Sequence, residues 1–292
     1  MTDDRSGSAG WFDGLEPDDR EAAADAIADG TAAEPANWPR LAVDAGFASD
    51  EAEYYDRLKE ATMAATREAV ERAERADDRQ LVHAVRTMDD CQRTANELAE
   101  RLAEWAGTID PDAGAGVDYA RELAADEGAV DHPRVRSLAE RITALADEAE
   151  DLREYVERET PTVAPNLAGL ADPVLAARLI SLAGGLEPLA KKPSGTVQVL
   201  GAEDALFAHL RGHASSPKHG IIYTHDAVRG THPDERGSAA RAVAGKLAIA
   251  ARVDHYSGER KPELEAELEE RIETIQARTA DGEAGGNGGD GE

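Results

Sequence analysis

Aromatic residues make up only 4% of this 292-residue chain, cysteine occurs once and lysine six times. Each scarcity excludes something. A single cysteine, Cys91, can build neither an intramolecular disulfide framework nor a cysteine-based zinc cluster, and its spacing from Met88 and Ala95 suits packing on a helix face. No long apolar run occurs: the most apolar stretch, Leu167 to Leu189, is broken by Asp172, Pro173, Arg178 and Glu187, so no membrane span is expected. The N-terminal sequence MTDDRSGSAGWFDG has neither the basic start nor the apolar core of a signal peptide, and a cytoplasmic protein is expected. Phosphate-cradling glycine loops, GxGxxG turns, GxSxG elbows and paired cysteines are also missing, which removes the usual signatures of nucleotide and nucleophile chemistry.

What the chain does contain is alanine, leucine, aspartate, glutamate and arginine, the composition of long helices. An all-α fold is expected, with a core lean in aromatics. Asp and Glu total 60 against 32 Lys and Arg, a net charge of −28. At molar ionic strength the Debye length is about 3 Å, so such acids repel little and mainly hold water; the composition is that of a halophile. Acid is nonetheless kept out of one region. Asn166 to Gly258 holds 10 basic against 8 acidic residues, together with four of the six lysines and six of the eight histidines. A surface of this kind suits an anionic partner.

Residues 1–50 carry scattered apolar anchors, Trp11, Phe12, Trp38 and Phe47 among them, and read as a small N-terminal module. From 51 the pattern is helical, sharpest at Leu81, Val85, Met88, Ala95, Leu98, Leu102 and Trp105, until Gly107, Pro111, Gly114 and Gly116 end it. A second run, Leu138, Ile142, Leu145, Ala149, Leu152 and Val156, alternates steps of four and three, a heptad seam. The two helices are expected to fold back as an antiparallel coiled-coil hairpin over 51–160. Pro161 and Pro165 set the expected boundary with a helical domain over 161–278. A final amphipathic helix with Leu264, Leu268, Ile272 and Ile275 on one stripe precedes a disordered, acidic, Gly-rich tail over 279–292.

His209 and His213 lie four apart, and His219, His225 and His232 follow at wider intervals. A zinc enzyme needs converging ligands and a general base, as on an HExxH helix, and no such motif is present. No metal or cofactor is therefore expected, while the abundant carboxylates leave a catalytic pair open at this point. Histidines beside lysine and arginine in an acid-poor segment fit RNA stacking and phosphate contact better.

Within that segment, ARLISLAGGLEPLAKKPSGTVQVLGAEDALFAHLRGHASSPKHGIIY and RGSAARAVAGKLAIAARVDHYSG resemble the Nop domain of the archaeal box C/D guide-RNA scaffold, a relative of the eukaryotic nucleolar and spliceosomal Nop proteins. Four separated motifs occur in family order: GxxxxAxxPxxTxQxLGAE, PKHGxIY, RGxxAR and AxKLAIAARxDxxSG. The resemblance implies a scaffold that is not an enzyme. Its N-terminal module would bind the methyltransferase fibrillarin, here through Trp11, Phe12, Trp38 and Phe47. Its coiled coil would pair two copies through Leu138, Ile142, Leu145 and Leu152. Its Nop domain would clamp a kink-turn guide RNA already held by a ribosomal-type protein, for 2′-O-methylation of rRNA or tRNA. Carried over by motif, Gly201, Ala202, Glu203, Asp204 and His209 would meet the kink-turn protein, with Phe207 packed inside the domain. Arg211, Lys218, His219, Arg236, Arg241 and Lys246 would meet the RNA, and Arg252 lies further along the same helix. Two positions depart from the family: Asp204 stands where a basic residue is usual after GAE, and Ala208 turns LFRHL into LFAHL. These losses leave open a dimeric coiled-coil binding module without RNA contact.

Overall fold

Why the described residues of the N-terminal unit hold together is answered by four rings. The computed structural model describes residues 10–31, 34–74, 76–125 and 130–285. It divides into two units, Met1–Ala76 and Asp77–Glu292. In the first, α1 (Arg20–Asp29) and α2 (Trp38–Asp44) both pack on α3 (Glu51–Glu74). Trp11, Phe12, Phe47 and Tyr54 pack on one another, Trp11 edge-on to Phe47 at 5.2 Å and Phe12 stacked on Phe47 at 5.5 Å. Each helix begins on a polar side chain that accepts an otherwise orphaned N–H: Asp19 from Ala22, Asn37 from Arg40, Asp50 from Glu53. Glu53 reaches back to Ser49, and those hydrogen bonds with Arg57 hold its carboxyl at about 2. Helix 51–74, expected in the hairpin, thus belongs to this unit, because its apolar face is consumed by α1 and α2.

The second unit starts with α4 (Asp77–Gly107), continues through the short α5 (Gly116–Ala124) and returns along α6 (Pro133–Val163). The C-terminal half of α4 packs with the N-terminal half of α6 around Leu102, Ile142 and Val135, while Leu81, Val85 and Met88 lie in one core with Val156. The helices are therefore antiparallel, as expected. The buried positions of α6, Val135, Ala139, Ile142, Ala146, Ala149, Val156 and Thr160, keep Ile142, Ala149 and Val156 of the expected seam and replace Leu138 and Leu145 by the next residues along, Ala139 and Ala146. The reason is that α6 is gripped by α5 as well as α4; Leu138 and Leu145 fill the flank of the same cluster.

The expected boundary at Pro161 is not there. Pro161 lies within the last turn of α6, and both it and Glu157, the residue whose carbonyl it leaves without a partner, are on the exposed side, where water replaces the lost bond. The hairpin root runs straight into a shared core with α7 (Pro165–Ala171), α8 (Pro173–Ala183), α9 (Leu186–Lys191), α10 (Ser194–Val199), α12 (Asp226–Arg229), α13 (Arg236–Tyr256) and α14 (Glu263–Gly285), while α11 (Glu203–Leu210) adds no buried residue to it. Polar links weld the root. Arg86 Nε donates to Ser181 Oγ at 3.0 Å, Arg79 to the Gly184 carbonyl at 2.9 Å, and Arg178 to Asp89 at 3.2 Å. Asp78 Oδ2 accepts from Leu186 N at 2.9 Å, capping α9, which has no cap of its own. Helix α14 continues six residues past 279, where the tail was expected to begin; residues 286–292 lie outside the described residues. No described helix is by itself long and apolar enough to cross a membrane.

Candidate nucleic-acid interface

The end of α10 and Leu200 just after it are bound to the loop that precedes the 3₁₀ turn Ile221–Thr224. Gly220 N donates to the Gln198 carbonyl at 2.8 Å and Ile221 N to the Leu200 carbonyl at 2.7 Å. The Gln198 side-chain amide adds a bond to the Lys218 carbonyl at 2.7 Å. The approach is so close that a Cβ on residue 220 would lie 1.9 Å from the Leu200 carbonyl oxygen, so only glycine fits. Gly201, at φ +80°, then turns the chain into α11, its N–H donating to Glu203 Oε1 at 2.9 Å. Two motifs far apart in the sequence are one backbone junction.

Helix α11 stands proud of this junction, with no residue buried. Phe207, expected inside the domain, is 55% exposed and Leu210 70%. Gly201, Glu203 and Asp204 are exposed beside them, with Ala202 and His209 half-buried. His209 Nδ1–H donates to the Ala214 carbonyl at 3.0 Å, folding the following loop back on the helix. Arg211 sits exposed where α11 ends.

On the other side of the junction His219, Tyr223 and Arg236 form a stack. His219 lies nearly parallel to Tyr223 at 4.6 Å, and the Arg236 guanidinium sits 5.5 Å from the Tyr223 ring centre. Arg236 is anchored there by Nε donating to the Thr231 carbonyl at 3.1 Å. Burial first, then the charges of Arg236 and Lys218, push the His219 imidazole below its ordinary value, so at neutral pH it offers a neutral stacking face. Lys218 and Arg241 line an open cleft of about 510 Å³ together with Thr196, Gln198 and Leu206. The Lys218 stem passes beside Gly237 in the first turn of α13, at 3.9 Å from where a Cβ would be, an ordinary packing distance.

The structure thus gathers Lys218, His219, Arg236 and Arg241, with Arg211 at the end of the neighbouring helix. It does not add Lys246. That ammonium pairs with Glu267 of α14 and is mostly covered, because α14 packs along this side of α13. The histidines do not converge: His225 Nε2–H donates to the Leu170 carbonyl at 2.7 Å while its Nδ1 accepts from Ala227 N, a neutral, internal helix cap. Among the described residues no group of three His, Cys, Asp or Glu is placed to hold a metal ion. Tyr223 and Gln198 were missed by residue-type reasoning, although both sit inside the motifs GIIY and TVQVLGAE.

The expected protein contacts fare differently. Phe12 and Phe47 are 4% exposed, and Trp11 and Trp38 pack on the same cluster, so the four aromatics are first the core of their own unit. Its exposed apolar side chains are instead Tyr55, Met63 and Val70, on a face of α3 turned away from that core. In the hairpin Ile142 is wholly buried and Leu138, Leu145 and Leu152 pack on the intrachain clusters, leaving Trp105 and Ile109 as the exposed apolar residues near the tip.

Comparison with known proteins gives a consistent result. The Nop family model, described as "snoRNA binding domain, fibrillarin", matches residues 124–276. An uncharacterised NOP5 family protein of Methanocaldococcus jannaschii is 32% identical over 280 residues, covering 83% of this chain and 68% of that protein. Nucleolar protein 58 of Scheffersomyces stipitis is 31% identical over 69% of this chain, and nucleolar protein 56 of Saccharomyces cerevisiae 35% identical over 60%. The chain spans only 48% and 35% of those two eukaryotic relatives. Among solved structures, a crystallised fibrillarin/Nop5p complex contains a chain of the same fold, with a TM-score of 0.52 and 26% identity, covering 91% of this chain and 98% of that one.

Proposed function

Because the chain belongs to the Nop family, we propose that it is the core scaffold of a box C/D guide RNP, binding kink-turn RNA with a ribosomal-type protein and positioning fibrillarin for 2′-O-methylation. The observation that carries this reading is the junction of the GAE and PKHG motifs, which sets a stack of neutral His219, Tyr223 and Arg236 beside the Lys218–Arg241 cleft. Unstacked RNA bases are taken up on aromatic and guanidinium planes, and phosphates by forked arginines. The exposed helix α11, with Phe207 and Leu210 outward, offers an apolar edge to the ribosomal-type protein. RNA and protein would be met side by side.

The scaffold acts by geometry and supplies no catalytic group. Fibrillarin is assigned to the α3 face of Tyr55, Met63 and Val70, since the expected aromatics are spent on the core. Pairing of two copies is assigned to the hairpin tip at Trp105 and Ile109, since Ile142 is consumed within one chain. With net charge −28 the protein suits molar salt, where counterion release adds little to RNA affinity and shape and stacking carry more of the load.

The test is binding to a kink-turn RNA in molar KCl, with and without the ribosomal-type protein. Binding that needs that protein and falls at least fivefold on Tyr223→Ala supports the reading. No binding with the protein present favours a coiled-coil module without RNA contact and overturns it.

A further inference from the structure

We infer that the outward face of α13 beyond the cleft is a track for the RNA strand that leaves it, an inference that rests on the RNA-binding reading above. Helix α13 carries Arg236, Arg241, Lys246 and Arg252 against one acid, Asp254, in a chain of net charge −28. That acid is buried and receives N–H bonds from Asn166 and Leu167. Lys246 is turned to Glu267. What remains outward is Arg241, Ile249, Arg252 and Tyr256, which share one helical face with Gly245 between the first two.

This stripe continues directly from the cleft, since Arg241 belongs to both. At 1.5 Å per residue it extends about 22 Å. A stacked strand advances about 3.4 Å per phosphate, so the stripe matches about six nucleotides. Ile249 is 42% exposed and Tyr256 69%, large exposures for apolar and aromatic side chains on a helix whose other face is core. Tyr256 is set edge-on to His255 at 4.5 Å, and Arg252 gives one N–H to the Lys192 carbonyl at 3.2 Å, which orients its guanidinium. Of the short helices packed on α13, α7 and α10 carry no charge, and the acids of α9 and α12 are paired, Glu187 with Lys191 and Asp226 with Arg229. An acid-free face with guanidinium groups at one spacing and an aromatic ring at its end fits a nucleic-acid strand, phosphates on arginine and a base on tyrosine, without sequence preference.

The experiment uses the full chain with the ribosomal-type protein and two RNAs, a minimal kink-turn and the same kink-turn extended by six or more unpaired nucleotides at each end. Wild type should bind the extended RNA more tightly. Tyr256→Ala should remove about fivefold or more of that affinity, and Arg252→Gln should lower the slope of log affinity against log salt by about 0.7. Both should leave the minimal RNA unaffected. The slope reads phosphate contacts and is insensitive to a modest loss of folding, and Tyr256 is too exposed to be needed for it. Equal wild-type affinity for the two RNAs, or equal weakening of both by the variants, overturns the track. So does loss of self-association in Tyr256→Ala with RNA binding unchanged, which would assign the face to a second copy. If wild type binds neither RNA, the functional reading itself fails, and the track with it.

Discussion

Replacing Asp254 by alanine should cost about 3–5 kcal/mol of folding stability, although no ion pair is broken. Asp254 ends α13 and is buried, its Oδ1 accepting from Asn166 N at 3.0 Å and Asn166 Nδ2 at 2.6 Å, its Oδ2 from Leu167 N at 2.9 Å. The Asn166 amide has a second acceptor in the Glu259 carbonyl at 2.8 Å, so alanine orphans chiefly the two backbone N–H groups that open α7. A buried donor left without a partner costs about 1–3 kcal/mol, which together with the lost packing gives the figure above. Against a usual total of about 5–15 kcal/mol this is large. Urea unfolding at fixed molar KCl measures it: the midpoint should fall with the m value unchanged. Asp254→Asn should lose less, since one oxygen still serves Asn166 while the new amide meets Leu167 N–H. The pH dependence adds a check. Burial, outweighing the donors, raises the Asp254 carboxyl above its ordinary value. Its stabilisation is therefore complete below the unfolded value and declines as pH rises through the folded one, so the gap between wild type and alanine variant should narrow across that window. A variant within about 0.5 kcal/mol of wild type at the same m would refute the reasoning.

Asp78→Ala should cost about 1 kcal/mol by uncapping α9 from 108 residues away, read as a lower melting temperature. Gly220→Ala should break the junction between 198–200 and 218–221, abolishing kink-turn binding; normal affinity in that variant would contradict the 1.9 Å approach. The depressed His219 value means stability is favoured above the unfolded histidine pKa and lost as pH falls below it, so His219→Gln should show a flatter stability profile between about pH 7 and 5. Ala208→Arg should leave assembly in molar KCl unchanged and tighten it at low salt; a large gain at molar salt would show that charge, not shape, limits this interface.

Local patterns carried the helices and little of their partners. The periodicities at Leu81 to Leu102 and at Leu138 to Val156 located α4 and α6, but whether α6 is gripped on one side or two decides which of its apolar residues is innermost. Spacing cannot encode that. Lysine 246 looked like any lysine of a basic helix until Glu267, 21 residues on, turned out to face it. The aromatics near the N-terminus were visible as anchors, yet only packing shows Phe12 and Phe47 enclosed and Tyr55, Met63 and Val70 outward. The site was more legible than its surroundings because glycine is diagnostic: Gly201 and Gly220 stand where the backbone turns left-handed or touches another backbone, and the motifs around them preserve both constraints.

The root of the hairpin sets the accuracy of everything farther out. Helix α4 has 31 residues, about 46 Å of lever. A tilt of 10° at its base would swing the far end by about 8 Å, whereas a misplacement of about 1 Å can already slow a reaction by about 100-fold. Arg86 on Ser181, Arg178 on Asp89 and Asp78 on Leu186 are therefore the tolerances of a measuring arm, and loosening them would blur where a remote reaction falls without touching any group that performs it.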